Sequence, residues 1–162
     1  MQRDNEASYI EIMKDSLVKK IAVLNKISEQ NKIQQGLTQT EEFDYDIFEK
    51  TLEEKEKLID EINRLDSGFQ SVFDRIKEIL ESGRENYADD IKQMQKLIAI
   101  ITDKSANIMV EEKRNKEAIM NRKDSLKKEV GMARTTNKVA ANYYKTMSKL
   151  NVLDSQFIDA KK

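Results

Sequence analysis

Apolar side chains recur at intervals of three and four residues along most of the chain. That spacing places them on one face of an α-helix, and the strict alternation expected of a half-buried strand is missing. Long helices are therefore predicted over about residues 4–35, over about residues 41–82, and from about residue 86 to a break at residues 131–137. A shorter fourth helix is predicted from the spacing of Val139, Tyr143, Met147 and Leu150.

The second predicted helix has the most regular apolar stripe. Its members alternate steps of four and three without a break, and they are Leu58, Ile62, Leu65, Phe69, Val72, Ile76 and Ile79. Ile59, Phe73 and Leu80 widen the stripe, and a face this broad is typical of a helix that packs against two neighbours. Gly68 lies inside the stripe, where it favours either a close helix crossing or a mild kink.

Capping residues mark the predicted helix ends. Gly36 is expected to cap the first helix, and Thr38 with Glu41 forms a capping box that would open the second. Ser82 is expected to end the second helix and, with Glu85, to form a capping box for the third.

The connections between these segments are short, so consecutive helices are expected to be antiparallel. The chain has no proline and only four glycines, too few turn residues for a fold built on sheets. We therefore predict an all-α protein, an elongated antiparallel bundle of three long helices plus a shorter C-terminal helix and tail. Residues 1–137 would form the helical bundle and residues 138–162 the C-terminal amphipathic helix and tail, within a single domain.

The composition removes most routes to catalysis. The chain has no cysteine and no histidine, which excludes thiol chemistry and removes the commonest general base and metal ligand. Adjacent carboxylates such as Glu53 and Glu54 point about 100° apart around a helix, which is unsuited to paired acid–base work. We expect no enzyme activity, no cofactor and no metal site.

Charge is unevenly distributed, although the net charge is only −1. Residues 37–90 contain seven basic and 17 acidic residues, and residues 91–162 contain 16 basic and eight acidic residues. This pattern favours neighbouring helices that complement each other's charge, and a basic surface that binds a partner is the alternative. Nucleic acid is not an expected partner, because acidic residues interrupt the basic stretch 113–128 and no aromatic residue lies in it.

A cytoplasmic location without membrane insertion is expected. The N-terminal sequence mixes both signs of charge and has no apolar core of the kind found in secretory signals. The longest apolar run, residues 97–101, is far too short to cross a bilayer.

The C-terminal segment is the strongest candidate for binding a partner. Chain ends are commonly polar and frayed, whereas this one is amphipathic and carries aromatic side chains. It would either pack on the protein's own bundle or anchor a partner, and the sequence leaves both possibilities open. The candidate partner-binding residues are Tyr143, Tyr144, Met147, Leu150, Leu153, Phe157 and Ile158.

Residues 52–80, LEEKEKLIDEINRLDSGFQSVFDRIKEIL, resemble the central helix of the FlgN-type flagellar export chaperones. The common pattern is a Lys/Glu-rich start, then spaced leucines and isoleucines, then an LD-GF step at Leu65, Asp66, Gly68 and Phe69. The ending, YYKTM at residues 143–147 and SQFIDAKK at residues 155–162, is similar to the short aromatic tail of such proteins in Gram-positive bacteria.

The resemblance implies a specific function. Chaperones of this type bind the two hook–filament junction proteins in the cytoplasm, keep them unassembled, and deliver them to the export gate of the flagellar type III secretion apparatus. In that family the C-terminal region engages the terminal helices of the cargo, so the role would fall on residues 143–158 here.

Two alternatives stay open. The stripe from Leu58 to Ile79 could pair between chains as well as within one, which would give a self-associating structural or adaptor coiled coil, such as a homodimer. A sibling chaperone for filament or filament-cap subunits fits the same composition.

Overall fold

The chain folds into three long α-helices and no strand over the residues that the structure describes, 2–83 and 85–122. The structure is a computed structural model. Helix α1 spans Gln2–Thr38, α2 spans Tyr45–Ser82 and α3 spans Ala88–Met120. The predicted all-α class and the three long helices are confirmed. The predicted fourth helix, the tail and the boundary at residue 137 lie outside the described residues.

Helix α1 lies between the other two. It packs along both α2 and α3, whereas no Cα atom of α2 comes within 8 Å of a Cα atom of α3 in the described part of the chain. Helices α2 and α3 meet through side chains instead, as in the ion pair between Lys55 and Glu112. The broad stripe predicts two neighbours for α2, and α2 does contact both. Only α1, however, brings its backbone close to two other helices.

Side-chain pairs give the direction of each helix. The pairs between α1 and α2 run in opposite order along the two helices, and include Lys20 with Asp66 and Gln34 with Thr51. The pairs between α1 and α3 run in the same order, and include Glu6 with Tyr87 and Asn31 with Asn115. Helix α2 is therefore antiparallel to α1 and α3, as the short connections predict.

Two separate apolar clusters fill the interior, and all three helices contribute to each. The main cluster occupies most of the length of the bundle, and its most enclosed members include Met13, Leu24, Ile27, Ile62, Met94, Ile101 and Ile108. The end cluster lies where α1 ends, α2 begins and α3 ends, and its buried residues are Leu37, Phe48, Leu52 and Ile119. Phe43 and Tyr45 pack against the end cluster from the connection between α1 and α2.

The apolar stripe of α2 is used inside the bundle. Leu58, Ile62 and Phe69 are buried in the main cluster, and the half-buried Leu65 packs against it. The rings of Phe69 and Phe73 stack with their centroids 6.2 Å apart. The LD-GF step therefore contributes mainly to internal packing.

The ends of α1 and α2 differ from the predicted ones. Gly36 lies within α1, which continues to Thr38. The Thr38 hydroxyl donates back to the Gln35 carbonyl, at 2.6 Å, so it completes the end of α1 and opens no new helix. Helix α2 is capped instead by Asp44, whose carboxylate accepts from the Ile47 N–H at 3.1 Å. The predicted caps at Gly36 and at Thr38–Glu41 are therefore wrong.

Helix α3 also departs from its predicted limits. Ser82 ends α2 as expected, but α3 begins at Ala88 after Tyr87, which supplies no side-chain cap, so the predicted Ser82–Glu85 capping box is wrong. At its other end α3 stops at Met120, short of the predicted break at residues 131–137. The charged stretch after Met109 is expected to be poorly buried, yet its inward positions, Asn115 and Ile119, are buried.

Gly68 offers a test of local helix stability. Helix α2 runs through it without interruption, and a Cβ atom placed on Gly68 would meet no atom within 4 Å, so the predicted close crossing is wrong. Replacing Gly68 with alanine should stabilise the protein by about 1 kcal/mol, because alanine loses less backbone entropy in a helix. A melting curve should show a rise in Tm of about 2–4 °C. Gly83→Ala is the contrasting variant, since its Cβ would crowd the Ile79 carbonyl oxygen at 3.0 Å, and it should give no gain.

Candidate functional site

The seven residues predicted to bind a partner lie outside the described residues, so the structure does not test their role. They are Tyr143, Tyr144, Met147, Leu150, Leu153, Phe157 and Ile158. The described residues do contain a group of buried and half-buried polar side chains between the two apolar clusters.

We call this group the polar layer. It crosses all three helices between the main cluster and the end cluster. Its members are Ser28, Asn31 and Gln34 of α1, Thr51 and Lys55 of α2, and Glu111, Glu112 and Asn115 of α3.

Lys55 is the most buried charge of the polar layer. Its side chain is 1 % exposed, and its ammonium group forms an ion pair with the Glu112 carboxylate, which is 21 % exposed. The ammonium group also reaches the Gln34 side-chain oxygen at 3.4 Å. Burial lowers the pKa of Lys55 below its ordinary value, because the loss of water outweighs the attraction of Glu112. The pair is therefore an internal contact between α2 and α3 that costs desolvation energy.

A short chain of hydrogen bonds links α1 to α2 beside that pair. The Gln34 amide donates to the Thr51 hydroxyl at 2.9 Å, and the Thr51 hydroxyl donates to the Phe48 carbonyl. Because both side chains are almost fully buried, an apolar substitution on one side would leave the other without its partner.

Glu111 and Asn115 link α3 to α1 on the other side. Glu111 accepts hydrogen bonds from Ser28 at 3.0 Å and from the Asn31 amide at 3.2 Å. The Asn115 amide donates to the Asn31 backbone carbonyl at 2.8 Å. The side-chain oxygen of Asn31 is buried without a hydrogen-bond partner in the described structure, which adds a further cost to this layer.

Arg122 joins the end of α1 and the connection that follows it, at the end of the bundle where the end cluster lies. The Arg122 guanidinium donates to four backbone carbonyls at the end of α1 and in the following connection, those of Leu37, Thr38, Thr40 and Glu41. It also lies over the Phe43 ring, 5.6 Å from the centroid. Because the last carbonyls of a helix have no partner within the helix, Arg122, two residues after the end of α3, serves as a cap for α1.

Further buried or half-buried ion pairs fix how α1 lies against its neighbours. Lys20 pairs with Asp66 of α2 within the main cluster, and Lys14 pairs with Asp90 of α3. Sliding either neighbour by one helical turn would separate these charges, so the pairs favour one register.

The sequence contains a signal for the polar layer that a search for apolar spacing overlooks. Asn31 and Gln34 continue the inward line of Leu24 and Ile27 at steps of four and three. Along α3 the same line continues from Ile108 through Glu112, Asn115 and Ile119. Polar residues at core positions of a helical repeat indicate a buried polar layer and not the end of the helix.

Other kinds of site receive no support from the described residues. Over residues 2–83 and 85–122, no group of three or more acidic side chains is placed to hold a metal ion. None of the three helices combines the length and the apolar character needed to span a bilayer.

Comparison with known proteins adds no relative. No protein family model, no curated protein and no solved structure matches this chain. The function is therefore inferred from the residues, from their packing, and from the resemblance in residues 52–80 and the C-terminal segment.

Proposed function

We propose that this protein is a cytoplasmic export chaperone of the flagellar type III secretion apparatus. It would bind hook–filament junction proteins through their terminal helices, keep them unassembled, and deliver them to the export gate. The proposal is supported by the resemblance of residues 52–80 and of the C-terminal segment to FlgN-type chaperones, and by an all-helical bundle of the expected general plan.

The observation that carries the proposal is the resemblance of residues 52–80 and of the C-terminal segment to FlgN-type chaperones, and the packing of the α2 stripe bears on where cargo could bind. The segment with the strongest resemblance directs Leu58, Ile62 and Phe69 into the main cluster, so these side chains hold the bundle together. The stripe itself is then not available to a partner, and the resemblance assigns partner binding to the aromatic segment 143–158. The described helices would serve as a rigid support for that segment.

An amphipathic segment is chemically suited to the proposed cargo. Two amphipathic helices can bury their apolar faces against each other, and aromatic side chains supply much of the binding energy at such surfaces. A chaperone that covers the apolar face of a terminal helix would prevent that helix from pairing with its assembly partner.

The same internal packing weighs against self-association through α2. Pairing between chains would require an uncovered stripe, but its members are buried or half-buried against the rest of the bundle. The sibling alternative, a chaperone for filament or filament-cap subunits, differs only in its cargo and is separated by the binding test below.

Combined replacement of Tyr144 and Phe157 by alanine should abolish measurable cargo binding. Each aromatic anchor is expected to contribute about 2 kcal/mol, or about 30-fold in affinity. The measurement is isothermal titration calorimetry of the full-length chain with a purified terminal helix of a junction protein. Val110→Ala is the matched control, because Val110 is apolar and 67 % exposed on α3, and it should bind normally.

Two results would count against the proposal. If the double variant binds the junction helix with unchanged affinity, the C-terminal segment is not the cargo-binding site. Tight binding to a filament-cap or filament subunit, together with no binding to the junction helix, would replace the proposed cargo with that of the sibling alternative.

A further inference from the structure

The two apolar clusters differ greatly in size. Among the residues that the structure describes, the main cluster contains eighteen buried residues, whereas the end cluster contains four, Leu37, Phe48, Leu52 and Ile119. Buried apolar area is the chief source of stability, so within this part of the chain the end cluster contributes far less of it than the main cluster.

The polar layer weakens the connection between the clusters. Lys55 and Glu112 stand where apolar side chains would otherwise join the two clusters into one core. A buried ion pair contributes little net stability compared with well-packed apolar residues of the same size. Proteins open locally in cooperative units, and the boundaries of such units fall where apolar contact is sparse.

Arg122 stabilises the end cluster from the side opposite the polar layer. One guanidinium group joins the end of α3 to four carbonyls of α1 and its following connection, and it covers the Phe43 ring. Hydrogen bonds from a charged donor are about twice as strong as neutral ones. Loss of this one side chain would remove all of these contacts at once.

We propose that residues 37–52 and 115–122, here called the end unit, open together while the main cluster stays folded, and that Arg122 holds the end unit closed. The Lys55–Glu112 ion pair at the edge of the end unit is the boundary at which opening stops, whereas Thr51 and Asn115 of the polar layer open with the end unit. Opening uncovers Phe48, Leu52 and Ile119, which are buried in the closed bundle. The inference rests on the described packing alone and is independent of the proposed function.

Hydrogen–deuterium exchange of the full-length protein, read by mass spectrometry, tests this directly. In the unmodified protein, amides of the end unit should exchange faster than those of residues 59–76 in α2. Arg122→Ala should accelerate exchange in the end unit by at least about tenfold, the factor expected for losing a single charge-assisted hydrogen bond, and leave residues 59–76 unchanged. Arg122→Lys should fall between the two, because an ammonium group cannot span several carbonyls as a guanidinium does.

Arg64→Ala is the matched control, since Arg64 is exposed and pairs only with Glu61 on the same helix among the contacts described. If Arg122→Ala accelerates exchange equally in all three helices, the bundle opens as a single cooperative unit and the proposal is overturned. Unchanged exchange in the end unit of this variant would show that Arg122 does not hold the end unit closed.

The boundary has its own test. Replacing Lys55 with methionine and Glu112 with leucine makes the polar layer more apolar, and should slow exchange in the end unit toward that of the main cluster. Exchange in the end unit that stays at its original rate would reject the Lys55–Glu112 ion pair as the boundary.

Discussion

Replacing Glu112 with alanine should destabilise the bundle by about 3–5 kcal/mol, the cost of leaving a buried charge without its partner. Lys55 is 1 % exposed, and after the substitution its remaining described contact is the Gln34 oxygen at 3.4 Å. Urea denaturation followed by circular dichroism measures the loss. At pH 7 the electrostatic part of this loss cannot exceed about 5 kcal/mol. Lys55 can avoid an unpaired buried charge by releasing its proton, which costs about 1.4 kcal/mol for each pH unit below its ordinary pKa of 10.5.

The pH dependence of that loss has a definite sign. The pKa of Lys55 is lowered in the folded protein by burial, so the cost of its buried charge is complete below the folded-state pKa. That cost disappears as the pH rises toward 10.5, where the unfolded chain also loses the proton. At pH 9.5 the electrostatic part of the loss should therefore fall below about 1.5 kcal/mol.

Two further variants separate this effect from a general loss of helix stability. Glu117→Ala removes an exposed carboxylate from the same helix and should change stability by no more than about 0.5 kcal/mol. The double variant Lys55→Met with Glu112→Leu removes both charges and should be as stable as the original protein, or up to about 4 kcal/mol more stable. A double variant clearly less stable than the original protein would show that the ion pair itself stabilises the fold.

Replacing Leu24 with alanine should lower the free energy of unfolding by a similar amount, about 2–5 kcal/mol. Leu24 is fully buried in the main cluster on α1, the helix that packs against both others, so the cavity has little room to collapse. The measurement is again the free energy of unfolding in urea, at neutral pH. Unlike the Glu112 variant, this one should show a loss that is independent of pH, because no titrating group is removed.

Val18→Ala is the control on the same helix. Val18 is 52 % exposed, and shortening it should change stability by about 0.5 kcal/mol or less. Equal losses from the two substitutions would contradict the central position of α1.

The existence of the three helices followed from the sequence because apolar spacing reports which face of a helix is buried. The stripe of α2 predicts the buried face of that helix, and its residues Leu58, Ile62 and Phe69 are in the main cluster. Helix ends were harder to predict, because caps depend on backbone geometry. Thr38 has the right identity to begin a helix, but its hydroxyl instead donates to a carbonyl at the end of α1.

The candidate site was predictable only in part. The polar layer was overlooked because Asn31, Lys55 and Glu112 occupy inward positions yet interrupt the apolar pattern used to find such positions. Their partners come from helices distant in sequence, so pairing could not be deduced from spacing. Arg122 gives no local signal at all, since its role depends on carbonyls some 80 residues earlier in the chain, 84 in the case of Thr38. The binding role of residues 143–158 stays a prediction.

The parallel pairing of α1 with α3 has a consequence for synthesis on the ribosome. Glu6 and Tyr87 are 81 residues apart, and Asn31 and Asn115 are 84 apart. Helix α1 can form a hairpin with α2 as soon as both have emerged, but its other apolar side has no cover until α3 follows. The nascent hairpin therefore exposes the second apolar side of α1 during elongation, and the main cluster is completed only when α3 docks.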